Sequence, residues 1–179
     1  MQNGTKLGEI YKKRREKIAL RQGYIELLVR TLAFAAILCA IFTQVFMITQ
    51  AEGNAMFPSV KDGDLIIAFR LEPVYEKDDV VVYTAEGESV IGRIVAAEGD
   101  VVMIDENGAL FVNGTEQSGE IMYPTYAGEE LSYPYTIPEG CVFILGDYRT
   151  QSRDSRNFGA IELRDVKGKV ITILRRRGI

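Results

Sequence analysis

Histidine and tryptophan are absent from the 179 residues. Without histidine, no Ser-His-Asp or Cys-His nucleophile can be assembled, and the commonest zinc ligand is missing. Cysteine occurs only as Cys39 and Cys141. Cys39 sits inside an apolar run and Cys141 far beyond it, so no intramolecular disulfide is expected. A body without a disulfide framework must rest on its hydrophobic core. The sequence shows no internal repeat and no low-complexity linker. Beyond Gly53, no segment keeps a 3.6-residue apolar period over a dozen positions, which argues against a helical body. Asp and Glu do not cluster with ligand-like spacing. No metal site and no cofactor are therefore expected.

Charge is present but unevenly spread. The formal net charge is -4, yet residues 1–30 carry eight Lys or Arg against three Glu. A basic stub and an acidic body argue against nucleic acid as a partner. Residues 5–22 suit a basic amphipathic helix that fixes orientation, with lipid headgroups as an additional contact. Thr31 to Thr49 holds no charge, and with the preceding Tyr24–Val29 it is long enough to span the hydrocarbon core. The stretch is too long for a signal-peptide core, and Gln50-Ala51-Glu52 lacks a small-x-small cleavage site. Residues 1–23 thus read as a cytoplasmic basic stub and 24–49 as a transmembrane helix. Residues 50–179 read as an extracytoplasmic domain, since flanking Lys and Arg stay inside. The expected location is the cell membrane, crossed once.

The body reads as β. Asp64–Phe69, Asp79–Thr84, Val90–Ala96, Val101–Asp105, Ala109–Val112, Cys141–Leu145 and Val170–Leu174 are short, β-branched and bounded by Gly, Asp or Asn. Asp105-Glu106-Asn107-Gly108 predicts a hairpin turn, because Asn-Gly accepts positive φ. Residues 113–138 hold four of the nine tyrosines and three of the five prolines, as a loop-rich cap would. Arg175-Arg176-Arg177 either touches anionic headgroups or keeps the tail soluble.

Four blocks carry a resemblance. They are the loop Gly53–Asp64, the strand Asp79–Tyr83, the segment Gly92–Asp100, and Gly146-Asp147-Tyr148-Arg149-Thr150-Gln151-Ser152-Arg153-Asp154-Ser155-Arg156-Asn157-Phe158-Gly159. Following a membrane span, they resemble the bacterial type I signal peptidases. That family writes the last block Gly-Asp-Asn-Arg-x-x-Ser-x-Asp-Ser-Arg-x-[Phe/Tyr]-Gly, and this chain departs from it at Tyr148. The resemblance implies a mainly β domain of coiled antiparallel sheets, with a small cap at about 105–138. It also implies that Arg93, Asp147, Arg149, Ser152, Asp154, Ser155 and Arg156 brace the site rather than react.

The resemblance fails where the chemistry should be. Active members attack with a serine that is deprotonated by a neutral lysine. The serine loop reads Ser-Met-x-Pro-[Thr/Ser], and this chain has Ala55-Met56-Phe57-Pro58-Ser59. The lysine block reads Lys-Arg-[Val/Ile]-[Val/Ile]-Gly, and this chain has Gly92-Arg93-Ile94-Val95-Ala96. Both reactive groups are missing. Gly53, Ala55, Met56, Phe57 and Pro58 remain candidates for holding an extended peptide, with the Ala55 N–H as a surviving oxyanion donor. Met56 and Phe57 face either the membrane or a peptide groove, or simply pack in the core. Ser59 and Lys61 are a weak substitute pair, because a lysine in the exposed turn Lys61–Asp64 stays charged. Ser152 and Ser155 have no lysine nearby.

The chain is similar to the signal-peptidase relatives of Gram-positive bacteria that lack the dyad and serve sortase-built pilus assembly. The implied role is a non-catalytic, chaperone-like factor. Its partners would be the cytoplasmic membrane and exported proteins such as pilin subunits, with sortase a further candidate. The alternative is an active type I signal peptidase that removes signal peptides from secreted pre-proteins.

Overall fold

The computed structural model describes residues 3–72, 74–117 and 123–175. The chain divides after Gln44 into two compact units. The first is a helix. α1 runs from Asn3 to Val45, and its stretch Leu20–Val45 has a mean hydropathy of 2.2. At about 1.5 Å per residue, such a stretch is long enough to cross the roughly 30 Å hydrocarbon core. The hydroxyls of Thr31 and Thr43 donate to the helix's own carbonyls at Leu27 and Ala40, so neither needs water.

The expected span of 24–49 is too long at its C-terminal end. Phe46–Gln50 leaves the helix and forms strand β1. It pairs antiparallel with β2 (Leu65–Phe69), from Phe46↔Phe69 to Gln50↔Leu65, and the Phe46 and Phe69 rings lie 5.8 Å apart. Hydropathy alone cannot separate an apolar strand from the helix it continues. The partner strand decides it.

The second unit is β, as the sequence predicts. Five further strands join β1 and β2 in one antiparallel sheet. They are β3 (Val80–Ala85), β4 (Glu88–Ala97), β9 (Cys141–Leu145), β10 (Ile161–Glu162) and β11 (Val166–Leu174), in the order β1-β2-β11-β3-β4-β9-β10. β9, Cys-Val-Phe-Ile-Leu, lies next to the edge strand β10 and is buried at every position, with Phe143 and Leu145 in one apolar cluster and Val142 and Ile144 in another. Register shifts interrupt β4 against β9 between Ile94 and Ala96, and β11 at two places. Such bulges bend strands and raise the local twist.

A smaller sheet makes the cap. β5 (Val101–Ile104), β6 (Leu110–Val112), β7 (Thr115–Glu116) and β8 (Tyr135–Thr136) run in the order β7-β6-β5-β8. The β5–β6 turn is the one expected. The Asp105 carboxylate accepts the amides of Asn107 and Ala109, and Gly108 takes φ +83°. Those backbone bonds hold the Asp105 carboxyl below its usual range.

Three apolar clusters fill the body. Phe143 and Leu145 meet Val95, Val102 and Leu110 between the sheets. Tyr83, Ile94, Ile144 and Val166 form a second group. Met56, Val60, Ile66, Ala68 and Val82 pack behind the loop after β1. Cys39 and Cys141 are both free. Of the closing arginines, Arg176 and Arg177 lie outside the described residues.

Candidate functional site

The loop after β1 folds on its own backbone. Ala51 donates to the Asp64 carbonyl at 2.8 Å, and Gly63 donates to the Ala51 carbonyl at 2.9 Å. The Gly53 amide donates to the Asp62 carboxylate at 2.8 Å. Asp64, only 2% exposed, accepts the Lys61 amide and closes the turn. Met56 is buried in the core and also lines the cleft described below. Phe57 is half-buried against the Tyr148 ring, with centroids 6.1 Å apart, and Pro58 is exposed after a cis peptide bond. Ala55 is half-buried, and its carbonyl accepts the Tyr148 amide at 2.9 Å.

A cleft of about 170 Å³ lies beside this loop, lined by Gln50, Glu52, Gly53, Ala55 and Met56 on one side and by Ser89 and Ile91 on the other. Both walls are strand edges. β1 is the edge strand of its sheet. β9 pairs with Arg93–Ala97 alone, so the Glu88–Gly92 half of β4 is paired only with β3. Ile94 exchanges backbone bonds with Asp78 and Asp79 on the β3 side. Alternation along an antiparallel ladder then turns the amides and carbonyls of Ser89 and Ile91 toward the cleft. Across the cleft, Ala51 bonds away toward Asp64, which turns the main-chain groups of Gln50 and Glu52 inward.

Gly92 ends this half of β4. A methyl group there would stand 2.5 Å from Ile144 Cγ2 and 3.1 Å from Tyr83 Cε1. The direction a side chain would take is therefore into packed core. Tyr83 is fully buried, its hydroxyl has no hydrogen-bond partner among the described residues, and burial pushes that hydroxyl far up from its usual value.

The last block assembles as an ionic brace. Asp147 receives the Arg93 guanidinium through two bonds, at 2.8 and 2.7 Å, and the Ser59 hydroxyl at 2.5 Å. Ser59 is thus committed to a carboxylate, and the substitute pair with the exposed Lys61 does not form. Asp154 caps the short helix α2 (Ser155–Phe158) and also accepts the Gly146 amide, the Ser152 hydroxyl and the Arg156 guanidinium. The Ser155 hydroxyl accepts the Ile144 amide at 2.9 Å. Arg149 reaches the Gly146 carbonyl and the Thr125 hydroxyl, and burial lowers its pKa to about 10. It therefore remains a cation at neutral pH.

Gly146 joins the brace to the loop. A methyl group there would meet Ser152 Cβ at 2.4 Å and the Ala55 carbonyl at 2.6 Å. The structure thus brings together Ala55, Arg93, Asp147, Arg149, Ser152, Asp154, Ser155 and Arg156. Sequence reasoning missed Tyr83, Ser59's acceptor, Thr125 and Gly146. Val80-Val81-Val82-Tyr83 is one apolar run, which marks Tyr83 for burial, whereas the other three roles depend on long-range contacts. Among the described residues, no group of three or more His, Cys, Asp or Glu could hold a metal ion.

A family model described as signal peptidase, peptidase S26, matches residues 23–174. Signal peptidase I of Bacillus caldolyticus is 30% identical over 135 residues, covering 66% of this chain and 74% of that protein. Thylakoidal processing peptidase 1 of Arabidopsis thaliana is 31% identical over 137 residues, which are 66% of this chain and 38% of that longer protein. A solved signal peptidase I from Enterococcus faecalis is 27% identical with a TM-score of 0.47, covering 55% of this chain and 97% of that one.

Two stability predictions follow from this geometry. Asp154→Asn keeps a capping side chain but strips the charge from the buried pair with Arg156, whose side chains are 2% and 7% exposed. Leaving one ion of such a pair alone costs about 3–5 kcal/mol, to be read as a lowered denaturation midpoint. Tyr83→Phe removes a buried hydroxyl with no partner, and relieving such a group gains about 1–3 kcal/mol. A loss of stability in that variant would show that the hydroxyl is bonded in solution.

Proposed function

Since the chain belongs to the peptidase S26 signal peptidase family, we propose that it is a non-catalytic member which holds exported polypeptides without cutting them. The observation that carries this reading is the cleft itself. Its two strand edges are in place, while Ala55 stands at the nucleophile position and Gly92 at the base position. A methyl group and a hydrogen can neither attack a carbonyl nor accept a proton. Ser59, the hydroxyl nearest Ala55 in the chain, is bonded to Asp147 and has no amine beside it.

Binding does not need what is missing. An extended peptide laid in the cleft adds a strand between β1 and β4, and its affinity comes from main-chain bonds. Gln50, Glu52, Ser89 and Ile91 supply them. A cleft of about 170 Å³ leaves room for small side chains beside Ala55 and Met56. The helix α1 anchors the protein in the cell membrane. The basic residues in its N-terminal half keep the N-terminus in the cytoplasm and the β body outside. Pilin subunits are the clients that the dyad-less relatives suggest, with sortase as a neighbouring partner.

The test uses the full chain in detergent micelles. A pre-protein carrying its signal peptide is incubated with it, and a fluorescent signal peptide is titrated against it. Binding without any cleaved product is the expected result. A product cut at the signal-peptide junction would establish the active peptidase instead. For the clients, deletion of the gene is expected to abolish covalent pilin polymers while bulk secretion continues; normal polymers would remove pilins from the reading.

A further inference from the structure

Resting on the non-catalytic reading, we propose that position 92 is closed to any side chain by the packing of Ile144 and Tyr83, so that catalysis is blocked by core volume as well as by the missing dyad. The lysine of an active member has to leave the backbone along the Cα–Cβ direction. In this chain that direction ends 2.5 Å from Ile144 Cγ2, 3.1 Å from Tyr83 Cε1 and 3.4 Å from the Leu145 carbonyl.

These neighbours cannot step aside cheaply. Ile144 and Tyr83 are both 0% exposed. Cγ2 of a β-branched residue hangs directly on Cβ, and its rotamer is stiff, so it has no flexible end to swing away. Ile144 is also held at the backbone. It pairs with Ile94 across β4, and its amide donates to the Ser155 hydroxyl. On the other side, Tyr83 pairs with Val90 and Val166. Gly92 is paired with Val81 of β3, which holds its backbone in the ladder on that side.

Gly92 is therefore a packing requirement of this sheet. It does not take φ in the left-handed region, so no backbone conformation reserves the position for glycine. Ordinarily, Gly→Ala at such a strand position stabilises, because alanine leaves the unfolded chain less freedom to lose. Here the sign is reversed by overpacking. Putting serine at 55 and lysine at 92 would restore the chemistry on paper and still leave the amine without a seat.

A double-mutant cycle on the full chain in detergent micelles tests this. Gly92→Ala is expected to lower the unfolding midpoint by about 3–10 °C. On an Ile144→Ala background the same substitution is expected to be neutral or to raise it, because the colliding atom is gone. Ile144→Cys, whose single γ atom can rotate away, serves as the background if Ile144→Ala does not fold. An equal loss in both backgrounds, or no loss in the parent, overturns the proposal. The variant Ala55→Ser/Gly92→Lys with Ile144 intact is expected to leave a signal-peptide-bearing pre-protein uncut, and cleavage by it would also overturn the closed position. Cleavage by the unaltered chain would defeat the non-catalytic reading and leave the packing result untouched.

Discussion

Everything at the site depends on how closely two loops approach at Gly146. The hydrogen that serves as its side chain lets the Ala55 carbonyl and Ser152 come within contact of one backbone position. The Tyr148 amide then bonds Ala55, and the Gly146 amide bonds Asp154. A segment near the N-terminal end of the β body and one near its C-terminal end are thereby fixed to each other. Asp154 secures the second segment further by capping α2 and pairing with Arg156. Buried backbone and charge leave little slack, since each group that lost its partner would cost its full desolvation.

This brace operates without the reactive pair. Arg93, Asp147 and Ser59 satisfy one another, as do Asp154, Arg156 and Ser152. None of these bonds involves a residue at position 55 or 92 through its side chain. With alanine at 55 and glycine at 92, the scaffold's hydrogen bonding is intact. The cleft's main-chain edges are also in place, because backbone groups are indifferent to the residues that carry them.

The sequence shows the chemistry-bearing blocks more plainly than the packing. Asp147 to Phe158 alternates charges and hydroxyls in a pattern that suits a self-satisfying cluster as well as a solvated charge run, and the structure assembles Asp147, Ser152, Asp154, Ser155 and Arg156 into the cluster. β9 is found with its bounds unchanged, since five apolar residues between turn formers leave no alternative. β1 is hidden because Phe46–Gln50 continues an apolar run and takes its identity from β2, fifteen or more residues away in the chain. α2 is hidden for another reason: four residues cannot display a period, and only the Asp154 cap announces them. The closeness of Ile144 to Gly92 is a distance between two strands that are remote in sequence, and no local pattern encodes it.

Charge balance in the brace does not call for an amine at position 92. The brace holds the carboxylates of Asp147 and Asp154 and the guanidinium groups of Arg93, Arg149 and Arg156. Burial depresses the pKa of Arg149, Asp154 and Asp147 oppose that, and its two arginine neighbours add to it. A lysine growing from position 92 would bring a further amine toward this group. In a catalytic member such crowding is useful, because desolvation and like charge keep the amine neutral and basic. With the amine absent, no carboxylate is left without a counter-ion, and the space it would need is filled by an isoleucine methyl and a tyrosine ring. Apolar packing of that kind commonly equals or exceeds the stability of a buried ionic arrangement. A residual cost is the Tyr83 hydroxyl, which has no hydrogen-bond partner among the described residues.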